Sequence, residues 1–324
     1  MTRSLPAVLG WVALVSAASG ARAQPTFWDA ARDPRVARAD TALAQAEDHL
    51  AQAVETDGYG ARWRQHLRGA MARLSEEADG PDPRVRFLLA EVLNELGGAW
   101  HREIRDLLSE ALQQAPDPGQ AAEGWYQLAL AAAVLRDREL EVHAYERALE
   151  LTWKPKLRAN ILYNRGDAKM GLGLLREAIR DFEASIATAR DPRTRALALY
   201  GLGITLERSG DLPSALSAFG RGLSLQAAGP MPSVLDLPRV FFVPEYDVYY
   251  YKALEAMAAA QRESDLAARR VDLERAVVYW NRYLVEAEVD RHRWVPHARR
   301  NLAKCERDAA RMERARDGRE RHRK

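Results

Sequence analysis

The sequence predicts an all-α fold in which antiparallel helix pairs stack one after another. Helical periodicity of apolar residues runs from Ala30 to Arg316, in a chain rich in Ala, Leu, Arg and Glu. Proline and glycine recur at intervals of a few tens of residues, where they mark turns between helices. Three segments of the chain also align without gaps at a period of 37 residues. These observations indicate a solenoid of helical repeats.

The three segments share one arrangement of large and small residues. Their first helices carry Trp125-x-x-Leu128-Ala129, Leu162-x-x-Arg165-Gly166 and Leu199-x-x-Leu202-Gly203. Their second helices carry Tyr145-x-x-Ala148, Ala178-x-x-x-Phe182-x-x-Ser185 and Ala215-x-x-x-Phe219-x-x-Gly222. Small residues let two helices approach closely, and the large residues around them fill the contact.

This pattern resembles the tetratricopeptide repeat, which is W-x-x-L-G-x-x-Y followed by A-x-x-x-F and A-x-x-x-x-P. The resemblance is specific over about residues 122–228 and looser over most of the remaining chain. It implies a right-handed superhelical solenoid of antiparallel helix pairs with a concave binding face. Three residues depart from the family pattern: Glu141 replaces an alanine, Arg165 a leucine and Lys169 an aromatic residue.

The pattern divides the chain into six segments. We expect a signal peptide over 1–23, helical hairpins with a divergent repeat over 24–118, the three-repeat core over 119–229, a Pro- and aromatic-rich insertion over 230–247, a last repeat with a capping helix over 248–310, and a basic tail over 311–324. The last repeat carries Tyr251-x-x-Leu254 in its first helix and Ala276-x-x-x-Trp280-x-x-Tyr283 in its second, and about nine extra residues lie between these two helices, near 262–270. The capping helix is predicted at 296–316.

The start of the chain is typical of a cleaved secretory signal peptide. Arg3 is followed by an apolar stretch from Leu5 to Ala18 and by Ala21-Arg22-Ala23. The stretch is too short and too interrupted to form a stable membrane span. We therefore predict cleavage before Gln24 and a periplasmic protein without a transmembrane segment, with secretion or outer-membrane association as alternatives.

The charge of the chain argues against nucleic acid as a partner, and its cysteine content excludes an intramolecular disulfide. The net charge of +2 is matched by Arg3 and Arg22, so the chain after residue 23 is close to neutral and nucleic acid is not a predicted partner. The single cysteine, Cys305, permits no intramolecular disulfide. Stability must therefore come from packing.

The sequence contains no convincing catalytic motif, so no enzyme activity, cofactor or metal is predicted. There is no G-x-S-x-G, no P-loop, no H-E-x-x-H and no paired-cysteine spacing. Gly201-Leu202-Gly203 resembles a fragment of a dinucleotide loop, but it lies within a helical repeat and a packing role is favoured. The nearest histidines, His292 and His297, are five residues apart, which does not align two ligands on one helical face.

Two segments of the sequence can each be interpreted in two ways. Residues 229–251 contain four prolines and the aromatic residues Phe241, Phe242, Tyr246, Tyr249, Tyr250 and Tyr251. Such a segment either plugs the solenoid core or shapes a ligand groove. The basic tail from Arg311 holds seven cationic and three acidic residues, so it is either a solvated terminus or a contact for anionic lipid or an acidic partner.

A tyrosine recurs in phase in the three repeats, as Tyr126, Tyr163 and Tyr200. Each follows the large interior residue of its first helix, so about 100° of rotation turns it away from the helix-pair core. The resemblance implies that this position faces the concave groove. Neighbouring groove candidates are Asn160, Asn164, Asp167, Ile204, Glu207 and Arg208. In the alternative interpretation, the tyrosines pack on the next helix and only support the stack.

The predicted function is that of a periplasmic adaptor or scaffold that holds a peptide, a protein or an envelope component in its groove. The resemblance implies a protein or peptide partner, and an envelope glycan stays possible because phenols suit both. A structural subunit of a secretion or pilus assembly is the alternative, followed by a glycan-processing enzyme on a helical superstructure. The oligomeric state is left open.

Overall fold

A computed structural model describes residues 34–55, 60–97, 99–114, 117–228, 233–236, 240, 242 and 244–323. Within these ranges every regular element is helical, and the helices pack in consecutive pairs. The predicted all-α class of helix pairs is therefore confirmed. The predicted signal peptide, residues 1–23, lies outside the described residues.

The chain forms two compact units, residues 1–151 and 152–324. This division falls inside the segment 119–229 that the sequence assigns to one three-repeat core. The described part of the first unit contains α1 (Pro34–Glu55), α2 (Ala61–Ser75), α3 (Pro83–Leu96), α4 (His101–Gln113), α5 (Pro118–Val134) and α6 (Arg138–Leu151). Short connections make each pair antiparallel, and α2 and α4 also pack on the first helix of the next pair.

The second unit also consists of helix pairs. It contains α7 (Pro155–Leu172), α8 (Leu175–Thr188), α9 (Pro192–Arg208), α10 (Leu212–Ala227), a 3₁₀ turn (Val234–Asp236), α11 (Asp247–Arg262), α12 (Leu266–Val289) and α13 (Val295–Arg323). The pairs are α7–α8, α9–α10 and α11–α12, and α13 packs along α12.

Helix boundaries follow the turn signals in the sequence. Asp191 caps α9 by accepting from the Thr194 amide at 2.8 Å, and Pro192 occupies the first helical position. Gly173 ends α7 with φ 84°, and Gly210 lies in the turn between α9 and α10 with φ 97°. Both glycines adopt the left-handed conformation that side chains disfavour.

Buried rings fill the space that the repeat glycines leave. A Cβ atom on Gly201 would lie 2.2 Å from Phe182 Cε1, and one on Gly166 would lie 3.0 Å from the same atom. Phe219 meets Gly203 in the same way, at 2.6 Å. The close approach predicted from small residues thus occurs, and Gly201 and Gly203 have packing roles.

Residues that depart from the repeat pattern form ion pairs inside their helix pairs. Arg165 and Lys169 on α7 both contact Asp181 on α8, at 2.6 and 2.9 Å. Glu141 is buried on α6 and pairs with Arg138 at 2.6 Å. Because each charge has a partner, these substitutions are compatible with the fold.

Two elements near the C-terminus are longer than expected. The connection between α11 and α12 spans only residues 263–265, and the extra residues predicted near 262–270 lengthen the start of α12. The last helix continues to Arg323, so the predicted basic tail is helical.

The described part of the Pro- and aromatic-rich segment packs onto the second unit. Val234, Leu235 and Tyr246 are buried in its core. The ring of Phe242 lies 5.1 Å from that of Tyr251. These residues act as a plug, one of the two alternatives; Phe241 lies outside the described residues.

Candidate functional site

The structure brings four predicted groove residues together on α7. Asn160, Tyr163, Asn164 and Asp167 are all half-buried and recur at three- and four-residue spacing. This spacing places them on one side of the helix, about one turn apart. We call these four residues the α7 face.

The side chains of this face present hydrogen-bonding groups: two amides, a phenol and a carboxylate. Burial, with the nearby charge of Asp167, raises the pKa of Tyr163 to about 12, so its phenol is protonated at neutral pH. Asn160 accepts from the Thr194 hydroxyl at 3.1 Å, and Asp167 accepts from the Tyr251 hydroxyl at 3.4 Å. Neighbouring helices therefore hold the face in position.

Tyr126 lies in the first unit, on α5. It is half-buried, and its ring centroid is 6.2 Å from that of Tyr145 on the paired helix α6. Its accessibility therefore resembles that of Tyr163.

Tyr200 does not occupy the surface position that its phase predicts. It is 0% exposed, its ring lies 4.6 Å from that of Phe219, and a Cβ atom on Gly222 would be 2.4 Å from it. Its hydroxyl donates to Glu255 at 2.6 Å and accepts from the Gln226 amide at 2.5 Å. Tyr200 is therefore a core residue, as the alternative interpretation proposed.

The same correction applies to Ile204 and Glu207, which are buried instead of lining a groove. The Glu207 carboxylate accepts from the Tyr250 hydroxyl and from the Asn301 side-chain amide, the latter at 2.8 Å. His297 Nδ1 lies 3.2 Å from the same carboxylate. Glu207 thus joins α11 and α13 to α9.

Arg208 is also buried, which contradicts its predicted role as a groove residue. Its guanidinium donates to Asp247 at 3.2 Å and lies over the rings of Tyr250 and Trp294, at 5.0 and 5.2 Å. Asp247 is the first residue of α11, where the helix dipole also favours a negative charge. Arg208 and Asp247 therefore form a buried ion pair between α9 and α11, each of which is the first helix of its pair.

The turn before α13 covers the end of this cluster. His292 Nδ1 lies 2.6 Å from the Tyr283 hydroxyl, and burial lowers the pKa of His292. Arg293 donates to the carbonyl of Gly171 at the end of α7. The first two turns of α13 then supply His297 and Asn301 to Glu207. The α9 side chains that a groove ligand would need are thus occupied by the chain itself.

The described residues contain no cluster of three or more His, Cys, Asp or Glu side chains that could hold a metal ion. Burial raises the pKa of Cys305 to about 12, which leaves a protonated, inaccessible thiol. None of the described helices combines the length and apolar character needed to cross a bilayer.

Several residues of the buried cluster were missed by sequence reasoning. His297 and Asn301 are four residues apart on α13, a spacing that places both on one face. In the sequence, Tyr250 stands out only as one of the aromatic residues of the segment 229–251, and nothing there indicates its partner. No sequence signal links Asn301 to Glu207, because the contact joins residues 94 positions apart.

Comparison with known proteins gives similarity of fold only. No family model and no curated protein matches the chain. MamA from Desulfovibrio magneticus RS-1 is 18% identical over 59% of this chain and 96% of its own, with a TM-score of 0.48. YrrB, described as a TPR protein with an unusual peptide-binding site, is 17% identical over 64% of this chain and 94% of its own, with a TM-score of 0.47. At this level the likeness does not identify a ligand.

Proposed function

We propose that this protein is an exported helical-repeat scaffold that binds a protein or peptide segment through the α7 face. The observation that carries the proposal is the contrast between α7 and α9. The polar side chains of the α7 face are half-buried, whereas their in-phase counterparts on α9 are buried at three of the four positions, with Leu197 the exception.

The chemistry of the α7 face suits a peptide. Its amides, phenol and carboxylate recur about every 5 Å along the helix, and an extended peptide presents its backbone groups at a comparable spacing of about 6.8 Å per two residues. Tyrosine adds apolar area with a hydrogen-bonding tip at low entropic cost. The resemblance to tetratricopeptide repeats supports the same class of partner.

The ligand is not expected to be a terminal carboxylate. Family members that grip such a group use Lys and Asn, and the resemblance aligns those places with Tyr126, Leu130, Tyr163 and Asp167. With Asp167 on the face, an anionic end group would be repelled.

Replacing Tyr163 by Ala tests the proposal. We expect partner recovery from envelope extract to fall at least about tenfold, because aromatic anchors dominate such interfaces, while the melting temperature stays close to wild type. Tyr279→Ala is the matched control, since Tyr279 is a half-buried tyrosine on α12. Large destabilisation with undiminished binding by the folded fraction would make Tyr163 structural and place the site elsewhere.

The exported location rests on the sequence pattern of residues 1–23. Expression in a Gram-negative host should give a periplasmic protein whose first residue is Gln24, as read by N-terminal sequencing. An Ala23→Arg variant is expected to retard this cleavage because the site requires a small residue. Full-length protein confined to the cytosol would contradict the proposal.

A further inference from the structure

A cationic residue continues the α7 face toward the start of its helix. Lys156 lies four residues before Asn160, so the helical repeat places both on one side of α7. Asp167 lies at the other end of the face, about 16 Å from Lys156 along the helix axis. The side chain of Lys156 is exposed, and within the part of the chain that the structure describes it has no hydrogen-bond or ion-pair partner. The face therefore has a positive end and a negative end.

The neighbouring helix α9 brings a second cation to the positive end. Arg193 follows Lys156 by 37 residues, so it has the same place in α9 that Lys156 has in α7. Arg193 is half-buried, and the hydroxyl of the next residue, Thr194, donates to Asn160 at 3.1 Å. Burial raises the pKa of Tyr163, and the charge of Arg193 acts against this rise. Arg193 therefore lies close to the α7 face and contributes to its electrostatic surroundings.

Positive charge is concentrated where α7 and α9 begin. Residues 152–158 and 189–195 include one acidic side chain, Asp191, which caps α9, and six cationic side chains. The six are Lys154, Lys156, Arg158, Arg190, Arg193 and Arg195. The cations in the C-terminal halves of α7 and α9 are instead ion-paired: Arg165 and Lys169 with Asp181, and Arg208 with Asp247. The dipoles of both helices add to the positive potential at their starts, so this end attracts anionic groups.

An exposed tryptophan lies beside these cations. Trp153 is 82% exposed, the highest value for a large hydrophobic side chain among the described residues. It stands three residues before Lys156, so their Cα atoms are at most about 11 Å apart. Tryptophan and arginine are among the side chains that most often dominate the binding energy of protein interfaces. We call Trp153, Lys156 and Arg193 the basic end of the α7 face.

We propose that a partner segment bound along the α7 face carries Asp or Glu side chains where it contacts the basic end. This inference rests on the proposed peptide-binding function and adds the chemistry and the direction of the bound segment. Carboxylates are attracted to Lys156 and Arg193 and repelled by Asp167, so the two ends of the face select one direction. An extended peptide advances about 3.4 Å per residue, so about five residues span the distance from Lys156 to Asp167.

An anionic membrane matches the basic end less well than an acidic peptide does. Tryptophan and lysine do occur together at lipid interfaces. A flat bilayer, however, reaches the exposed Trp153 and Lys156 more readily than Arg193 and Tyr163, which are half-buried. A flexible peptide can contact exposed and half-buried residues along one helix face. The geometry therefore favours the peptide.

Selection from a displayed library of random peptides of about 12 residues tests the inference, with constant sequence on both sides so that no terminal carboxylate is offered. The wild-type protein should enrich peptides that contain Asp or Glu. Lys156→Glu should lose this preference, because it reverses the charge at the basic end. Arg221→Glu is the matched control, since it reverses an exposed charge on α10 and should select like the wild type.

Tyr163→Ala separates the inference from the proposed function. If enrichment depends on Tyr163 but the enriched peptides show no excess of acidic residues, the inference is overturned and the peptide-binding function stands. If no enrichment depends on Tyr163, the proposed function is overturned together with the inference.

Fluorescence anisotropy with one enriched acidic peptide measures the contributions of the basic end. Lys156→Glu and Trp153→Ala should each raise the Kd at least about fivefold and leave the melting curve unchanged, since both side chains are exposed. A Glu→Lys change in the peptide should weaken binding to the wild type and restore binding to Lys156→Glu. Equal Kd values for the wild type and Lys156→Glu would overturn the inference. Flotation with phosphatidylglycerol vesicles that depends on Trp153 and Lys156, without any selection of acidic peptides, would assign this end to a lipid surface instead.

Discussion

Replacing Arg208 by Met is expected to lower the free energy of unfolding by about 3 kcal/mol. The substitution keeps an unbranched apolar side chain but removes the only positive charge that contacts Asp247 among the described residues. Asp247 is left as a buried, uncompensated carboxylate. The dipole at the start of α11 still favours the negative charge of Asp247. The expected loss of stability is therefore at the lower end of the range for breaking a buried ion pair.

Thermal denaturation and urea titration measure this loss. Arg208→Met combined with Asp247→Asn should be more stable than Arg208→Met alone, because the second change removes the stranded charge. Arg221→Met is the control, since Arg221 is an exposed arginine on the adjacent helix α10 and its loss should stay within about 0.5 kcal/mol. Equal stability of the two arginine variants would show that the Arg208–Asp247 pair does not hold α11 on α9.

The fold was predictable because its determinants repeat along the sequence. Gly166 and Gly203 mark where a ring enters between helices, and Phe182 and Phe219 provide the rings at constant spacing. Asp191 with Pro192 marks a helix start by local chemistry alone. Such signals need no knowledge of distant contacts.

The site was less predictable because its boundaries are set by segments that do not repeat. Tyr163 and Tyr200 have the same phase in their helices, yet only Tyr163 is half-exposed. Tyr200 is covered because its hydroxyl bonds Glu255 and Gln226, and Gln226 in turn accepts from the amide of Val234 in the insertion. Periodicity predicts where a side chain points, but not which non-repeating segment packs upon it.

The buried polar cluster around Glu207 favours one packing arrangement of its helices over others. The carboxylate of Glu207 receives hydrogen bonds from residues on two other helices, α11 and α13. An apolar residue at this position could pack in several registers, whereas directed hydrogen bonds select one. We therefore interpret Glu207 as a residue that fixes the position of the last helix, α13, against α9.

Replacing Phe182 by Ala is expected to cost about 3–5 kcal/mol of stability. The ring is buried and fills the space beside Gly201 and Gly166, so one side chain joins the α7–α8 pair to α9. Truncation removes the transfer free energy of the ring and leaves a cavity between helices that cannot collapse without moving the backbone. Calorimetry should show a drop of roughly 10 °C in melting temperature.

A double-mutant cycle attributes this loss to the contact with the glycine. Gly201→Ala alone should cost about 1–3 kcal/mol, because its Cβ atom would lie 2.2 Å from the ring. When Phe182 is first changed to Leu, the same Gly201→Ala change should cost clearly less, since the smaller side chain leaves room for the methyl group. Glu183→Ala, an exposed change on the same helix, should have little effect. Strict additivity in the cycle would mean that Phe182 and Gly201 do not touch, and the close packing of α8 on α9 would then need another cause.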